Sequence, residues 1–107
     1  NSIKAKLLKK IYDFNKNNIF YHFGDIDCNG FTILIHLMKE TQIDIKPYLM
    51  SEEILLKYIK YSDPLTNNDE NKLKLFLKRK EYEAFHEVIK AMLLHKCKLE
   101  QEAIEIY

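Results

Sequence analysis

The sequence predicts an α/β fold, with a small parallel sheet in the N-terminal half and helices after it. Three observations support this prediction. A dense apolar run from Ile19 to Phe23 is typical of a buried strand, a helical repeat begins at Phe31, and a second short strand begins near Ile43. Strand, helix and strand in this order favour a β-α-β unit, because parallel strands need a crossover between them.

Composition limits the size and class of the protein. The 107 residues, 47% of them hydrophobic, suit one domain over 1–107, with a strand and helix core in 1–50 and a mainly helical part in 51–107. A net charge of +1 does not indicate a strongly basic nucleic-acid binder, so any phosphate contact must come from local patches. Cys28 and Cys97 form no C-x-x-C pair, and we expect reduced thiols in a cytoplasmic protein.

No apolar run approaches the roughly 20 residues that cross a bilayer, so no membrane partner is expected. The first predicted element is an amphipathic helix from Ile3 to Tyr12, with lysines around its apolar stripe. Because the chain begins at Asn1 and this helix starts at once, we expect that the chain was cut from a longer protein and that elements are missing upstream. Asn15 to Asn18 end the helix, and the strand that follows is expected to be covered on both faces.

The second half of the chain is predicted to be mostly helical. Pro47 stops the second strand, and Ser51 caps a helix that runs to about Tyr61. The polar stretch 62–69 is predicted to be a loop. Apolar residues from Leu73 to Leu93 predict one long helix or two consecutive helices, and a short element over 99–104 closes the chain.

The strongest chemical signal is the triplet Asp25-Ile26-Asp27, which follows the first strand directly. Two carboxylates at i and i+2 at the end of a strand are predicted to point to the same side and to share one ligand. A divalent cation would relieve their repulsion and the cost of burying them, and Mg²⁺ accepts one or two carboxylates together with waters and phosphates. The alternative is that Asp25 and Asp27 only form a capped turn before the helix.

A calcium loop is a weaker interpretation of the same segment. The run from Asp25 to Gly30 matches the opening D-x-D-x-N-G of an EF-hand. The twelfth position of that loop, which needs a bidentate glutamate, is occupied by His36, and the preceding segment is strand-like rather than helical. The sequence therefore does not favour an EF-hand.

The segment from Tyr21 to Phe31 resembles the aspartate motif of Toprim (topoisomerase-primase) domains, with Gly24-Asp25-Ile26-Asp27 at its centre and Gly30 after it. Within that superfamily it is similar to the C-terminal Toprim-like domain of the JetD family, the nuclease subunits of Wadjet defence systems, which resemble the catalytic subunit of topoisomerase VI. The similarity continues to 48–51 and resumes at 98–104, which resembles that family's closing Leu-Glu-Gln-Glu segment. The resemblance implies a partial Toprim-like domain over most of the chain.

The same resemblance implies an endonuclease that uses Mg²⁺ or Mn²⁺ to hydrolyse phosphodiester bonds in DNA, with Asp25 and Asp27 as its catalytic, metal-binding residues. Toprim sites add a glutamate from an earlier strand, and no such strand precedes the first helix here. We therefore expect the fragment alone to be inactive. Topoisomerase VI takes a tyrosine nucleophile from a separate domain, and none of the seven tyrosines is recognisable in that role, so hydrolysis is favoured over strand passage.

Further candidate residues lie outside the triplet. Glu100 and Glu102 form a second acidic cluster that would approach the metal site if the last element folds back, although a surface position is the simpler interpretation. Gly24 is expected to let the backbone approach a ligand closely, and Gly30 to allow a tight turn into the helix. We assign no histidine to catalysis, expect His22 to be a hydrogen-bonded structural residue, and expect Cys28 to be a packing residue. The candidate DNA contacts, for which a solvated helix face is the simpler interpretation, are Lys72, Lys74, Lys78, Arg79 and Lys80.

Family analogy also implies partners: double-stranded DNA, an SMC-type Wadjet complex that presents circular DNA, and a second copy of the same subunit in a homodimer. A second hypothesis belongs to another class of function. It is a non-catalytic Toprim-like scaffold that docks a partner or binds nucleic acid without cutting it. An upstream strand with a glutamate would favour the enzyme, and a full-length sequence without one would favour the scaffold.

Overall fold

The computed structural model describes residues 3–104, which form an α/β arrangement with a helical C-terminal half. The α-helices of this part of the chain are α1 (Ile3–Phe14), α2 (Cys28–Thr41), α3 (Glu52–Lys57), α4 (Asn67–Phe76) and α5 (His86–His95). Its strands are β1 (Phe20–His22), β2 (Ile45–Pro47), β3 (Asp63–Pro64) and β4 (Cys97–Lys98). Three short 3₁₀ helices cover Ile59–Tyr61, Lys80–Phe85 and Gln101–Ala103.

The predicted β-α-β unit is confirmed. Strands β1 and β2 pair in parallel, with Phe20 opposite Ile45, and α2 makes the crossover between them. The expectation that β1 is covered on both faces is wrong for the described residues. His22 is buried, whereas Tyr21, whose side chain points to the other face of the strand, is 61% exposed.

The C-terminal half contains more regular secondary structure than its composition predicted. The predicted loop over 62–69 is interrupted by β3, and α4 begins inside it at Asn67. The hydroxyl of Thr66 accepts a hydrogen bond from the Asp69 N–H, while the Asp69 carboxylate accepts one from the Thr66 N–H. This capping box explains why the helix begins so early. A 3₁₀ segment separates α4 from α5, so the two-helix alternative is confirmed.

Helix α2 lies at the centre of the core. It packs against α1 on one side, and against α4 and the 3₁₀ segment Lys80–Phe85 on another. The ring of Phe31, near its N-terminus, stacks on Phe85 with a centroid distance of 4.4 Å. The N-terminus of α2 and the turn before it are therefore anchored to the hydrophobic core. Among the helices between residues 3 and 104, none combines the length and apolarity needed to cross a membrane.

Candidate functional site

The acidic turn joins β1 to α2, at the carboxyl end of a parallel strand. Its middle residue, Ile26, is fully buried, and its main chain pairs with Leu99 in an antiparallel bridge. The Ile26 N–H donates to the Leu99 carbonyl oxygen at 2.8 Å, and the Leu99 N–H donates back at 3.1 Å. Because the Ile26 side chain is anchored in the core, the carboxylates on either side are held half-buried at the surface.

Asp27 is the N-cap of α2. Its backbone is extended, and its Oδ1 accepts a hydrogen bond from the Gly30 N–H at 2.6 Å. Burial raises the pKa of Asp27 above its ordinary value, the Gly30 hydrogen bond opposes this rise, and the charge of Asp25 adds to it. Asp27 therefore carries a charge that the surrounding protein only partly stabilises.

Asp25 connects the acidic turn to the end of the chain. Its Oδ1 accepts a hydrogen bond at 2.8 Å from the backbone N–H of Gln101, 76 residues later. Between residues 3 and 104, neither Asp25 nor Asp27 has a cationic side chain within salt-bridge distance. Lys46, on β2, pairs with Asp44 at 3.4 Å. The turn therefore keeps two acidic groups without a direct counter-charge.

The two carboxylates line different clefts. One cleft, of about 300 Å³, is lined by Asp25 together with His22, Gly24, Gln101 and Glu102. We name it the Asp25 cleft. The two carboxylates remain close enough for the charge of Asp25 to raise the pKa of Asp27, so they are electrostatically coupled across the turn.

The second cleft, of about 260 Å³, is lined by Asp27 with Asp69, Lys72 and Lys98, and we name it the Asp27 cleft. It is lined by two acidic and two basic side chains, so their charges balance. The charges of the side chains that line the Asp25 cleft do not balance. In the part of the chain that the structure describes, no three His, Cys, Asp or Glu side chains are grouped so as to hold a metal ion. The described residues thus offer at most a pair of protein ligands.

Both glycines of the motif are closely packed. A Cβ at Gly30 would lie 2.0 Å from the carbonyl oxygen of Asp25. The backbone of the turn can therefore pack this closely against the start of α2 only because position 30 has no side chain. Gly30 does not adopt a positive φ angle. A Cβ at Gly24 would lie 2.7 Å from Nε2 of His22, so the space at Gly24 is occupied by this imidazole.

The other predicted site residues are distributed unevenly. The segment after Leu99 does fold back onto the acidic turn, and Glu102 lines the Asp25 cleft, whereas Glu100 is exposed and does not line it. Lys72 lines the Asp27 cleft, and together with Arg79 it lines a neighbouring cleft that contains His36 and Tyr82. The remaining members of the predicted basic group are exposed and line neither of these clefts; they are Lys74, Lys78 and Lys80.

Sequence reasoning missed the pair formed by Asp69 and Lys98. The Lys98 Nζ lies 2.8 Å from Oδ2 of Asp69, and this hydrogen bond is the main reason that the pKa of Asp69 is lowered. The two residues are 29 positions apart and come together because β3 pairs with β4, so no local pattern could have indicated them. Burial raises the pKa of the adjacent Cys28 thiol to about 11, which agrees with a packing role for this residue.

Comparison with known proteins identifies the family. Residues 3–107 match the family model described as "Wadjet protein JetD, C-terminal". The Wadjet protein JetD of Bacillus cereus (strain Q1) is 33% identical over 101 residues, which cover 92% of this chain and 25% of the relative. The chain thus spans about a quarter of the length of that relative. No solved structure matches it. The chain belongs to the family formed by the C-terminal region of the Wadjet protein JetD.

Proposed function

We propose that this chain forms part of a Toprim-type, metal-dependent DNA endonuclease that hydrolyses phosphodiester bonds as a component of Wadjet plasmid defence. One observation supports this most directly. Asp25 and Asp27 are half-buried at the carboxyl end of a parallel strand, are electrostatically coupled, and have no salt-bridge partner among residues 3–104. In open α/β sheets, ligands bind outside the carboxyl ends of strands.

The donor set fits a hydrated Mg²⁺ or Mn²⁺ rather than an ion enclosed by protein ligands. Each aspartate uses Oδ1 in its backbone hydrogen bond, and Oδ2 has no hydrogen-bond partner among the described residues. Mg²⁺ is commonly held by one or two carboxylates, with waters and substrate phosphates as its remaining ligands. A bound cation would also offset the burial of the Asp27 carboxylate and the nearby charge of Asp25, which both raise the pKa of Asp27. When bound, it would stabilise charge on the phosphate and help to activate water.

The chain's own residues also favour a phosphate beside the acidic turn. Lys72 and Lys98 line the Asp27 cleft, and Lys72 and Arg79 line the next cleft along the surface. Cations that follow a groove contribute most of the sequence-independent affinity for a nucleic-acid backbone. In this proposal the double-stranded DNA lies along these basic side chains. Family resemblance supplies the other partners, which are a second copy of the subunit and an SMC-type Wadjet complex.

Asparagine substitutions test the metal site without removing its structural role. An asparagine at position 27 would still cap α2, and one at position 25 would still offer an oxygen to the Gln101 N–H. Mg²⁺ or Mn²⁺ titrated into the protein should bind weakly, and Asp25→Asn with Asp27→Asn should abolish binding. Asp44→Asn, at an exposed aspartate beside β2, is the matched control and should bind the ion as the parent does. Equal binding by the double variant and the parent would refute the assignment of these ligands.

Activity must be measured in a full-length JetD-type protein that carries this domain, since the chain spans only a quarter of the matched relative. Nicking or linearisation of circular DNA should require Mg²⁺ or Mn²⁺. It should fall by a factor of at least about 100 in the Asp25→Asn or Asp27→Asn protein, because the ion that stabilises the transferred charge would be lost. Full activity in both variants would contradict a catalytic role.

A non-catalytic scaffold is the second candidate, and one observation favours it. Both aspartates already have structural roles, since Asp27 caps α2 and Asp25 holds the closing segment through Gln101. A scaffold would bind DNA or a partner equally well with and without Mg²⁺. It would also tolerate both asparagine substitutions, because the hydrogen bonds survive. The two candidates therefore predict opposite outcomes in the same pair of variants.

A further inference from the structure

His22 is a buried side chain with an unpartnered ring nitrogen. It is 7% exposed, and its Nε2 makes no hydrogen bond to any group within residues 3–104. The expectation of a hydrogen-bonded structural histidine is therefore wrong for this nitrogen. Buried polar atoms in native proteins nearly always have a partner, and an ordered water or the hydration shell of an ion can be that partner.

The position of His22 connects it to the acidic turn. The residue ends β1, three positions before Asp25, and lines the same cleft as Asp25 and Glu102. Its Nε2 lies directly over Gly24, where a Cβ would approach to 2.7 Å. A larger residue at position 24 would displace the ring. The glycine of the motif therefore leaves room for the imidazole in the cleft that Asp25 also lines.

The charges of the cleft favour a cation as the ligand. Asp25 and Glu102 are acidic, and Lys4 is the basic residue that lines the same space. Burial, together with the positive charge of Lys4, lowers the pKa of His22, so the ring is neutral at neutral pH. A neutral imidazole accepts a hydrogen bond at one nitrogen, which suits the water of a hydrated cation better than it suits the oxygen of an anion.

We propose that His22 is a positioning residue of the Asp25 cleft, whose Nε2 accepts a hydrogen bond from a water of a hydrated divalent cation bound by Asp25. This rests on the metal site proposed above and adds to it a residue outside the aspartate pair. Nε2 is shielded from bulk solvent, so the ring must turn within the cleft to meet that water. Outer-sphere hydrogen bonds of this kind orient metal ligands and contribute to affinity.

The first measurement uses the unaltered protein. Histidine side chains are labelled with ¹⁵N, and the ring resonances are followed by NMR during titration with MgCl₂. The ring nitrogens of His22 should shift as the ion binds. Those of the exposed His95 should not, because it lies at the end of α5 and away from the cleft. Saturable Mg²⁺ binding that leaves the His22 resonances unmoved would overturn the proposal.

The second measurement compares variants by calorimetry. His22→Phe should bind Mg²⁺ about 10-fold more weakly than the parent, as expected when an outer-sphere partner is removed. His95→Phe is the matched control and should bind equally. The melting temperature of His22→Phe without metal should equal or exceed that of the parent, because the substitution removes an unpartnered polar atom. If His22→Phe does not fold, Gly24→Ala displaces the same ring and should weaken binding similarly.

The outcomes separate this inference from the proposed function. Loss of binding in Asp25→Asn with unchanged binding in His22→Phe would leave the metal site in place and reject the role of His22. A parent protein that binds no Mg²⁺ would reject both. Weaker binding in His22→Phe, together with a shifted His22 ring in the parent, would support the proposal.

Discussion

Replacement of Gly30 by alanine is the most direct test of how the acidic turn is held. In an ordinary helix position the change from glycine to alanine stabilises by about 1 kcal/mol. Here the new Cβ would lie 2.0 Å from the Asp25 carbonyl oxygen, whereas ordinary contact begins at 3.4 Å. The carbonyl must therefore move by about 1.4 Å, the difference between these two distances. Because the obstacle is backbone, no side-chain rotation can relieve the overlap.

The expected cost is at the upper end of the range for overpacked sites, about 3 kcal/mol, so the net destabilisation is about 2 kcal/mol after the gain in helix propensity. For a domain of this size, that corresponds to a fall in melting temperature of roughly 10 °C. The displaced turn should also weaken Mg²⁺ binding, since it carries Asp25. Asn71→Ala, at an exposed position inside α4, is the control and should stabilise slightly.

Circular dichroism melting of the two variants and the parent measures the effect. A melting temperature of Gly30→Ala equal to or above that of the parent would refute the reasoning. It would show that the turn moves away from the new methyl group without cost, and that Gly30 contributes no more than any other helical position.

Three further predictions concern the same turn. Asp27→Ala should lower the free energy of unfolding by about 1 kcal/mol in urea, because α2 loses its cap. Asp27→Asn should have nearly the stability of the parent, and the reverse order of the two variants would contradict the capping role. The raised pKa of Asp27 means that the folded state holds this proton more tightly than the unfolded chain. The bound proton should stabilise the folded state fully below the ordinary pKa of 3.8, and this stabilisation should be lost as the pH rises through the pKa of Asp27 in the folded state. Asp27→Asn should lack this slope, and unfolding of both proteins from pH 3 to 6 measures it. Cys28 is buried, and its pKa is raised to about 11, so it should react with a thiol reagent at pH 8 much more slowly in the native protein than in urea; equal rates would show an open site.

Local patterns in the sequence were sufficient for the elements that depend on neighbouring residues. The amphipathic spacing of α1, the cap at Ser51 and the order strand, helix, strand were all visible, because periodicity and capping act over a few positions. The capping box of Thr66 and Asp69 is equally local, but it lay inside a polar stretch with Pro64, Asn67 and Asn68, and composition outweighed it. The aspartate motif itself, with its glycines, was also evident from the residues alone.

The tertiary structure decided how that motif is used. Three contacts each join residues far apart in the chain: Asp25 with Gln101, Ile26 with Leu99, and Asp69 with Lys98. The unpartnered nitrogen of His22 and its contact with Gly24 depend on how the ring packs, which a list of residues does not contain. Sequence alone determined the fold class and which residues carry charge. Only the tertiary structure decided which charged residues meet. Contacts between distant residues require long loops to close, and core packing rather than local preference offsets the entropy lost in closing them.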